Sequence, residues 1–483
     1  MPNEAFRFDN SYAQLPPHFY ARQSPAPVSA PKLIRLNRDL AEVLGLDADA
    51  LGGDVGAAVF SGNQVPEGAE PISLAYAGHQ FGGWVPQLGD GRAVLLGEIV
   101  GNDGVRRDLQ LKGSGQTPFS RGGDGRAALG PVLREYIVSE AMHAMGVPTT
   151  RSLAAVTTGD EVLREGYLPG AVLTRVATSH IRVGTFEFFL GRSDIDGLRT
   201  LADYVIDRHY PDARDAENPY LGLLENVIRR QASLVAKWFG IGFIHGVMNT
   251  DNTSVVGETI DYGPCAFMDT FHPDTVYSSI DHMGRYAFSN QPSILQWNLA
   301  QLAQCLLPVI DEDPKSALGP AQEVIDTFPG LFETELMNVM GRKLGFAEAQ
   351  PEHLQLAFDL MQVMAEQKAD FTNTFRSLAD DLGGDGPAGA FAEWSKAWHA
   401  RLAEAGASIE DAKVMMLAAN PAVIPRNHLV EAAIRAAEDR EDFSVFHALV
   451  EEVTDPFTSR PSDSPYVQPP APHEVVQQTF CGT

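Results

Sequence analysis

The stretch Phe243-Ile-His-Gly-Val-Met-Asn-Thr-Asp-Asn252, followed shortly by Thr259-Ile-Asp-Tyr-Gly263, decides the fold class of this 483-residue chain. The helical spacing of apolar residues from Leu221 to Phe239 predicts a long helix directly before it. Asn252 and Asp261 carry hard oxygen ligands of the kind that Mg²⁺ prefers, with nucleotide phosphates completing an octahedron. The stretch therefore predicts a polar loop for metal and phosphate after a long helix.

The spacing of this loop matches the catalytic loop of protein kinases, H-R-D-x-x-x-x-N, which is followed by a metal-binding D-F-G. Aligned on His245, Asn252 takes the place of the metal-binding asparagine, and Asp261-Tyr-Gly takes the place of D-F-G. Val247 stands at the position of the catalytic aspartate and cannot accept a proton, which argues against ordinary phosphoryl transfer. Asp251 is the nearby carboxylate that could serve as a base. The alternative is a helix end followed by a hairpin, with Asp-Tyr-Gly a chance turn.

A lysine and a glutamate upstream match a second kinase feature. Strands are predicted at Ala93–Val100 and Arg107–Lys112, separated by a turn, and a helix is predicted from Pro131 to Met145. A strand lysine paired with a helix glutamate is how protein kinases hold nucleotide phosphates, and Lys112 and Glu135 have suitable positions. The alternative is that both side chains are simply solvated, as most lone lysines and glutamates are.

Two glycine-rich segments and two arginines complete the candidate phosphate site. The residues concerned are Gly89, Gly91, Arg92, the segment 121–126, Arg175 and Arg182. Glycine lets the backbone approach a phosphate closely, and arginine can bind phosphate oxygens bidentately. The first segment matches neither the P-loop nor the dinucleotide-binding fingerprint, so a tight turn entering a strand is its alternative. A surface role is the alternative for the two arginines.

The order of predicted elements indicates an α+β protein with two lobes and a cleft between them, a common place for ligands. The expected divisions are an extended wrap at 1–32, a mixed β/α N-lobe at 33–183, a helical C-lobe at 184–453 and a tail at 454–483. Helices are also expected near 295–308, 331–343, 352–375, 388–405 and 427–437. Because residues 1–32 are rich in proline, we expect them to wrap a domain and not to form its core.

Composition excludes several classes of partner. Acidic residues outnumber basic ones by 63 to 36, a net charge of -27, which disfavours nucleic-acid polymers and anionic membrane surfaces. Three cysteines cannot form a disulfide framework. No secretory signal and no apolar run long enough to span a bilayer is visible, so we expect a soluble, cytoplasmic protein.

Taken together, these motifs resemble the selenoprotein O family of protein adenylyltransferases. The resemblance runs over nearly the whole chain and is carried by Phe8–Tyr12, Tyr76–Arg92, Leu109–Arg121, His245–Asn252 and Asp281–Tyr286. It implies a two-lobed, protein-kinase-like (pseudokinase) fold. It also implies transfer of AMP from ATP to Ser, Thr or Tyr hydroxyls of proteins, with ATP bound flipped relative to kinases and pyrophosphate released.

The resemblance also implies roles for individual residues. The residues expected to contact ATP are Gly89, Gly91, Arg92, Lys112, Asp124, Gly125, Arg175 and Arg182, with Asp124 and Gly125 facing the nucleoside. Glu135 would orient Lys112, Asn252 and Asp261 would hold Mg²⁺ (or Mn²⁺), and Asp251 would accept the proton of the attacking hydroxyl. Cys481 lies where some members carry selenocysteine, so a redox-sensitive role and a spare thiol are both open.

Two other functions remain possible on these residues. One is phosphotransfer to a small molecule or a protein, against which Val247 at the base position speaks. The other is a catalytically inactive pseudokinase scaffold that only binds nucleotide. The retained Lys112, Asp251, Asn252 and Asp261 weigh against a scaffold, which has no need of a complete metal site.

Overall fold

The computed structural model describes residues 6–480 apart from 383, 385, 387 and 407. Its strands lie mostly in the first part of the chain. They are β1 (Tyr20–Arg22), β2 (Lys32–Leu36), β3 (Ile72–Leu74), β4 (Gly78–Gln80), β5 (Gly83–Val85), β6 (Ala93–Val100), β7 (Arg106–Lys112), β8 (Ala127–Ala128), β9 (Arg151–Leu163), β10 (Tyr167–Ala177), β11 (Phe243–Ile244) and β12 (Ala266–Phe267).

The main sheet has eight strands in the order β1-β3-β6-β7-β10-β9-β2, with β8 pairing β10. Its pairings are antiparallel. The hairpin predicted at Ala93–Val100 and Arg107–Lys112 is confirmed as β6 and β7, with Ala93 opposite Lys112. β10 runs beside β7, which brings Arg175 opposite Gln110. The sheet therefore places a lysine and an arginine on adjacent strands.

Helices make up most of the rest. They are α1 (Arg38–Val43), α2 (Asp54–Phe60), α3 (Leu129–Ala144), α4 (Val183–Leu190), α5 (Ile195–His209), α6 (Pro219–Gly240), α7 (Gln291–Ile310), α8 (Pro314–Ile325), α9 (Phe328–Lys343), α10 (Pro351–Gln367), α11 (Phe371–Asp381), α12 (Ala392–Glu404), α13 (Ile409–Ala419), α14 (Asn427–Arg440) and α15 (Ser444–Val453). The protein is thus α+β, with its main sheet in the N-terminal part and a mostly helical C-terminal part.

The helix predicted from Pro131 is α3, which begins two residues earlier and packs against β9 and β10. Its apolar residues, among them Leu133 and Ile137, are fully buried on the sheet. Burying a side chain of this size contributes about 1.5–3 kcal/mol. This packing carries Glu135, which is also buried, to the end of β7.

The prediction of a single helix near 352–375 is wrong, because the structure has two helices there, α10 and α11. Lys368 follows α10 with a φ of 53°, a left-handed conformation that ends a helix. Asp370 then caps α11 by accepting a hydrogen bond of 2.8 Å from the Asn373 amide. The periodicity of apolar residues continues across this break, so it did not reveal the turn.

The proline-rich N-terminal segment does contribute to the core, contrary to expectation. Tyr12 and Phe19 are buried, and Phe19 packs against Phe189 of α4 with ring centroids 4.4 Å apart. Proline density did not reveal the two short 3₁₀ helices, Tyr12–Gln14 and Pro17–Phe19, which carry these aromatic side chains inward. None of the described helices is both long and apolar enough to cross a membrane.

Candidate active site

A cleft of about 700 Å³ lies between the sheet and the helical part. Its lining contains every site residue predicted from the sequence: Gly89, Gly91, Arg92, Lys112, Asp124, Gly125, Glu135, Arg175, Arg182, Asp251, Asn252 and Asp261. These residues come from strands, turns and one helix that are far apart in the chain. The tertiary structure therefore gathers them on one surface.

Lys112, at the end of β7, is the first of three cations that meet in this cleft. Its Nζ lies 2.5 Å from Oε2 of Glu135 on α3 and 3.2 Å from Oδ1 of Asp261. The lysine is mostly buried, so these two carboxylates hold it in one position. A charge-assisted pair of this kind is stronger than a neutral hydrogen bond.

Arg175, on the neighbouring strand β10, binds the same two carboxylates. Its Nε and Nη2 lie 2.8 and 2.6 Å from Oε1 of Glu135, and Nη2 lies 2.7 Å from Oδ1 of Asp261. The side chain is only 2% exposed, so the surface role considered for it is wrong. Arg175 therefore connects the sheet to α3 and to the Asp-Tyr-Gly turn.

Arg182, which directly precedes α4, joins the cluster from the other side. Its Nη1 donates to Oδ2 of Asp261 at 2.5 Å and to the backbone carbonyl of Asp251 at 2.6 Å. The guanidinium also lies over the ring of Tyr76, 4.7 Å from its centroid. Like Arg175, this arginine is buried.

Asp261 is the centre of this cluster. Burial alone would raise the pKa of its carboxyl, but Arg175, Arg182 and Lys112 outweigh burial and hold that pKa well below its usual value. The residue has a φ of 62°, a conformation uncommon outside glycine and asparagine. The turn thus holds an ionised carboxylate among three cations.

Asp251 has the opposite electrostatic character. It lies in the single turn Thr250–Asn252 and is 7% exposed, and burial raises its pKa to about 6. Oδ2 accepts a hydrogen bond of 3.2 Å from Gln80, whereas Oδ1 is buried beside Gly78 and has no hydrogen-bond partner among the described residues. A carboxylate with a free oxygen and a pKa near neutrality is suited to accept a proton.

Polar and close-packed contacts hold the turn that carries Asp251. The Thr250 hydroxyl lies 2.5 Å from Oε2 of Glu187 and accepts a hydrogen bond of 2.7 Å from the His79 amide. A Cβ at Gly184 would lie 2.2 Å from the Ala77 carbonyl oxygen. The backbone of α4 can therefore approach Ala77 only because a glycine stands there, and the same Cβ would lie 3.3 Å from Cα of Asp251 in the turn.

Asn252 and Asp261 each present side-chain oxygen to the cleft, the type of ligand that a magnesium ion takes. The Asn252 amide nitrogen donates to the Val247 carbonyl at 3.0 Å, which sets the direction of its side chain. Among the described residues, no group of three or more His, Cys, Asp or Glu side chains could hold a metal ion. Two oxygen ligands fit Mg²⁺, which is commonly bound by one or two protein oxygens together with substrate phosphates.

The two glycine-rich segments form backbone turns at the edge of the cleft. Gly89 has a φ of 82° and Gly125 has a φ of 67°, and a Cβ at Gly125 would lie 2.2 Å from the Gly115 carbonyl. Asp124 is exposed and binds Arg164 through contacts of 2.8 and 3.2 Å. The carboxylate of Asp124 is therefore paired with Arg164, outside the cluster around Asp261.

Sequence reasoning did not assign roles to several cleft residues. Asp90 accepts hydrogen bonds from the Leu74 amide and the Gln110 side chain, at 3.1 and 3.0 Å, and lies 4.0 Å from Arg182. Gln80 contacts Asp251, as described above. Both residues lie inside the Tyr76–Arg92 stretch, so its unusual composition was the available signal.

Comparison with known proteins identifies the family of this chain. The family model described as protein adenylyltransferase SelO matches residues 2–454. This chain belongs to that family. SelO family relatives named protein nucleotidyltransferase YdiU are 58% identical in Rhodopseudomonas palustris strain HaA2, over 99% of each chain, and 57% identical in Rhizobium etli, over 100% of this chain and 98% of the relative. A third, from Methylorubrum populi, is 56% identical over 99% of each chain.

Two of the three cysteines of this SelO family member lie among the described residues. Cys265 and Cys305 are buried, and burial raises the pKa of the Cys265 thiol to about 12. Neither is an accessible thiolate, which agrees with a packing role. Cys481, for which a redox role was considered, lies outside the described residues.

Proposed function

We propose that this protein transfers AMP from ATP to hydroxyl side chains of proteins and releases pyrophosphate. Membership of the SelO family and the printed names of the relatives support an enzyme of the nucleotidyltransferase class. The alternatives of a kinase and of an inactive scaffold receive no support from a specific observation. The predicted domain limits and the cytoplasmic location stay predictions.

The arrangement around the cleft supports a protein-kinase-like, two-lobed architecture. Lys112 on a sheet strand pairs with Glu135 on the helix that packs on the sheet. Asp251 and Asn252, in the loop that follows His245, line the same cleft, and the turn at Asp261 contacts Lys112 directly at 3.2 Å. His245 is buried, and its Nε2 lies 2.8 Å from the Ile260 carbonyl, which connects the loop to that turn.

The cluster of Lys112, Arg175 and Arg182 is proposed to bind the phosphates of ATP. In a pose flipped relative to kinases, these cations stabilise the negative charge that develops on the leaving pyrophosphate. Gly89, Gly91 and Arg92 contact phosphates from the edge of the cleft, and Asp124 and Gly125 contact the nucleoside. Asn252 and Asp261 would hold Mg²⁺ or Mn²⁺, which when bound neutralises phosphate charge and orients the phosphates.

Asp251 is the proposed proton acceptor for the reaction. It removes the proton of the acceptor hydroxyl as the hydroxyl oxygen forms a bond to the α-phosphorus. The bond from the α-phosphorus to the bridging oxygen breaks, and that oxygen leaves with the pyrophosphate. The products are an AMP-protein phosphodiester, pyrophosphate and one proton, which Asp251 then gives to solvent.

The observation that carries the proposal is the buried carboxylate of Asp251, whose Oδ1 has no hydrogen-bond partner among the described residues, beside the cationic cluster. Arg182 donates to the backbone carbonyl of Asp251 and to the carboxylate of Asp261, so one guanidinium joins the proposed base to the turn proposed to bind metal. Val247 at the kinase base position carries no acceptor, which leaves Asp251 to take the proton.

ATP labelled separately at the α- or the γ-phosphate tests the proposal. Incubated with the protein, a divalent metal and a cell lysate, label from the α-phosphate alone should enter protein. Transfer from the γ-phosphate alone would establish a kinase instead. Bound ATP without transfer from either position would establish a scaffold. Asp261→Ala, which removes a metal ligand, should abolish the α-label transfer, and exposed Asp455→Ala should not.

A further inference from the structure

Four large apolar side chains are exposed on two segments beside Asp251. Phe81 and Trp84, in and next to the tight turn between β4 and β5, are 37% and 42% exposed. Ile280 and Met283, in a loop after β12, are 54% and 91% exposed. We refer to these four side chains as the apolar ledge. Exposed apolar side chains that lie together commonly mark a protein-interaction site.

The two segments that carry the ledge are in contact with each other. The ring of Phe81 packs on Tyr286, with centroids 5.0 Å apart, and a Cβ at Gly82 would lie 3.6 Å from Nη2 of Arg285. Asp281 accepts hydrogen bonds of 2.9 and 2.8 Å from the amides of Arg285 and Tyr286. These bonds close the loop that carries Met283 and hold it beside the β4–β5 turn.

The ledge continues into the cleft at the side where Asp251 lies. Phe81 and Ile280 line the cleft itself, next to Gln80, whose side chain donates to Asp251. The Phe81 amide donates to the Asn249 side chain at 3.0 Å, only two residues before Asp251. A side chain reaching Asp251 from this side therefore passes over the ledge.

Phe81 is held in a backbone conformation that aromatic residues avoid. Its φ is 50°, in the left-handed region where a bulky side chain is a rare outlier. The Asn249 hydrogen bond and the packing on Tyr286 keep it there, with the ring partly exposed. Strain of this kind persists mainly at functional sites, and glycine would occupy the position without it.

We propose that the apolar ledge is the docking surface for the acceptor protein and binds an apolar side chain that flanks the acceptor hydroxyl in its chain. This inference rests on the proposed function and adds to it a sequence preference around the modified residue. The occupant is a segment of a protein because the acceptor hydroxyl belongs to one. When the acceptor hydroxyl contacts Asp251, the residue beside it in the acceptor chain contacts the ledge.

The ledge differs from other exposed apolar residues of the protein by this position. Phe81 and Ile280 line the cleft, and Trp84 and Met283 lie three residues from them in the chain. Leu318 and Val414, which are 56% and 59% exposed, lie on the helices α8 and α13, which contribute no residue to the cleft lining. Leu318→Gln is therefore a matched control for Met283→Gln. Met283 is 91% exposed, so its replacement removes apolar contact surface without disturbing the packed interior.

The test uses two short synthetic peptides that differ only in the residues beside one hydroxyl residue. Leucine flanks the hydroxyl in the first and glutamine in the second, each made with Tyr, Thr or Ser. Binding of the fluorescent peptides is measured by anisotropy, and AMP transfer by α-labelled ATP. Wild type should bind and modify the leucine peptide better, and Met283→Gln should reduce this preference about fivefold to tenfold. Met283→Leu and Leu318→Gln should keep it.

Each outcome bears on one proposal or on both. An equal rate and affinity for the two peptides, or a preference unchanged in Met283→Gln and Phe81→Gly, would overturn the docking surface while leaving AMP transfer standing. If wild type binds the leucine peptide preferentially, Met283→Gln loses this preference, and no acceptor receives AMP, the result would support the docking surface and overturn the proposed function. A dimer in sedimentation experiments that Met283→Gln dissociates would assign the ledge to a second copy of this chain, against the proposal.

Discussion

Arg182 donates from Nη1 to the backbone carbonyl of Asp251 at 2.6 Å, and the same nitrogen reaches Oδ2 of Asp261 at 2.5 Å. One guanidinium thus sets the separation between the proposed base and the turn proposed to bind metal. Because Arg182 is buried and also packs on Tyr76, its position is set by several contacts at once. The predictions below follow from this coupling and from the turn that carries Asp251.

Arg182→Lys should lower kcat for AMP transfer by about 10²-fold, because an ammonium cannot reproduce the planar donor set toward two partners. The KM for ATP should change less, since Lys112 and Arg175 remain. Steady-state kinetics with α-labelled ATP measures both constants. Arg229→Lys, at an exposed arginine paired with Glu225, is the control and should match wild type. A kcat equal to that of wild type would show that Arg182 has no part in the reaction.

The rate should depend on the ionisation of Asp251. Burial raises the pKa of this carboxyl to about 6, and a base must be ionised to accept a proton. We therefore expect kcat/KM to rise as the pH increases through about 6 and to level off above it. The profile is measured by α-label transfer between pH 5 and 8, in the range about the expected pKa. A rate that falls over this range would contradict the assignment of Asp251 as base.

Replacing this base should also change stability in a pH-dependent way. Asp251 has a pKa of about 6 in the folded protein against 3.8 for the free side chain, so its ionisation opposes folding. The stability from its protonated form is complete below the unfolded pKa and is lost as the pH rises through the folded pKa. Asp251→Asn should therefore be more stable than wild type at pH 8, by about 3 kcal/mol at most.

Thermal unfolding of both proteins at pH 4 and pH 8 measures this difference, which should shrink toward zero at the lower pH. Asp455→Asn, at an exposed carboxyl, should show no such gain at pH 8. Equal midpoints for Asp251→Asn and wild type at pH 8 would mean that burial does not perturb Asp251. The rate of AMP transfer by Asp251→Asn should be about 10²- to 10⁴-fold lower than that of wild type, while the variant still binds ATP.

Gly184→Ala should damage the site through packing alone. Its Cβ would lie 2.2 Å from the Ala77 carbonyl oxygen and 3.3 Å from Cα of Asp251, so the turn must move. We expect lower kcat and a lower thermal midpoint. Gly330→Ala in α9, where a Cβ meets nothing within 4 Å, is the matched control and should stabilise the protein by about 0.5 kcal/mol. Wild-type kcat in Gly184→Ala would mean that Asp251 tolerates displacement.

Much of the site was predictable because short-range sequence patterns determine local secondary structure. The long helix before His245, the β6–β7 hairpin and the helix bearing Glu135 all follow from periodicity and turn residues. That Asn252, Asp251 and Asp261 offer oxygen atoms to a metal or a proton follows from their residue types alone. The break at Lys368 was not predictable, since apolar residues keep the same spacing on both sides of it.

The sequence by itself determined which chemical groups this protein has, in which order, and to which family it belongs. Only the tertiary structure decided that Arg175 and Arg182 are buried and meet Lys112 and Glu135 at Asp261. The physical reason is distance along the chain. Periodicity and capping act over a few residues, whereas these contacts join residues 23 to 149 positions apart. They depend on how sheet and helices pack around a common core, which no local pattern specifies.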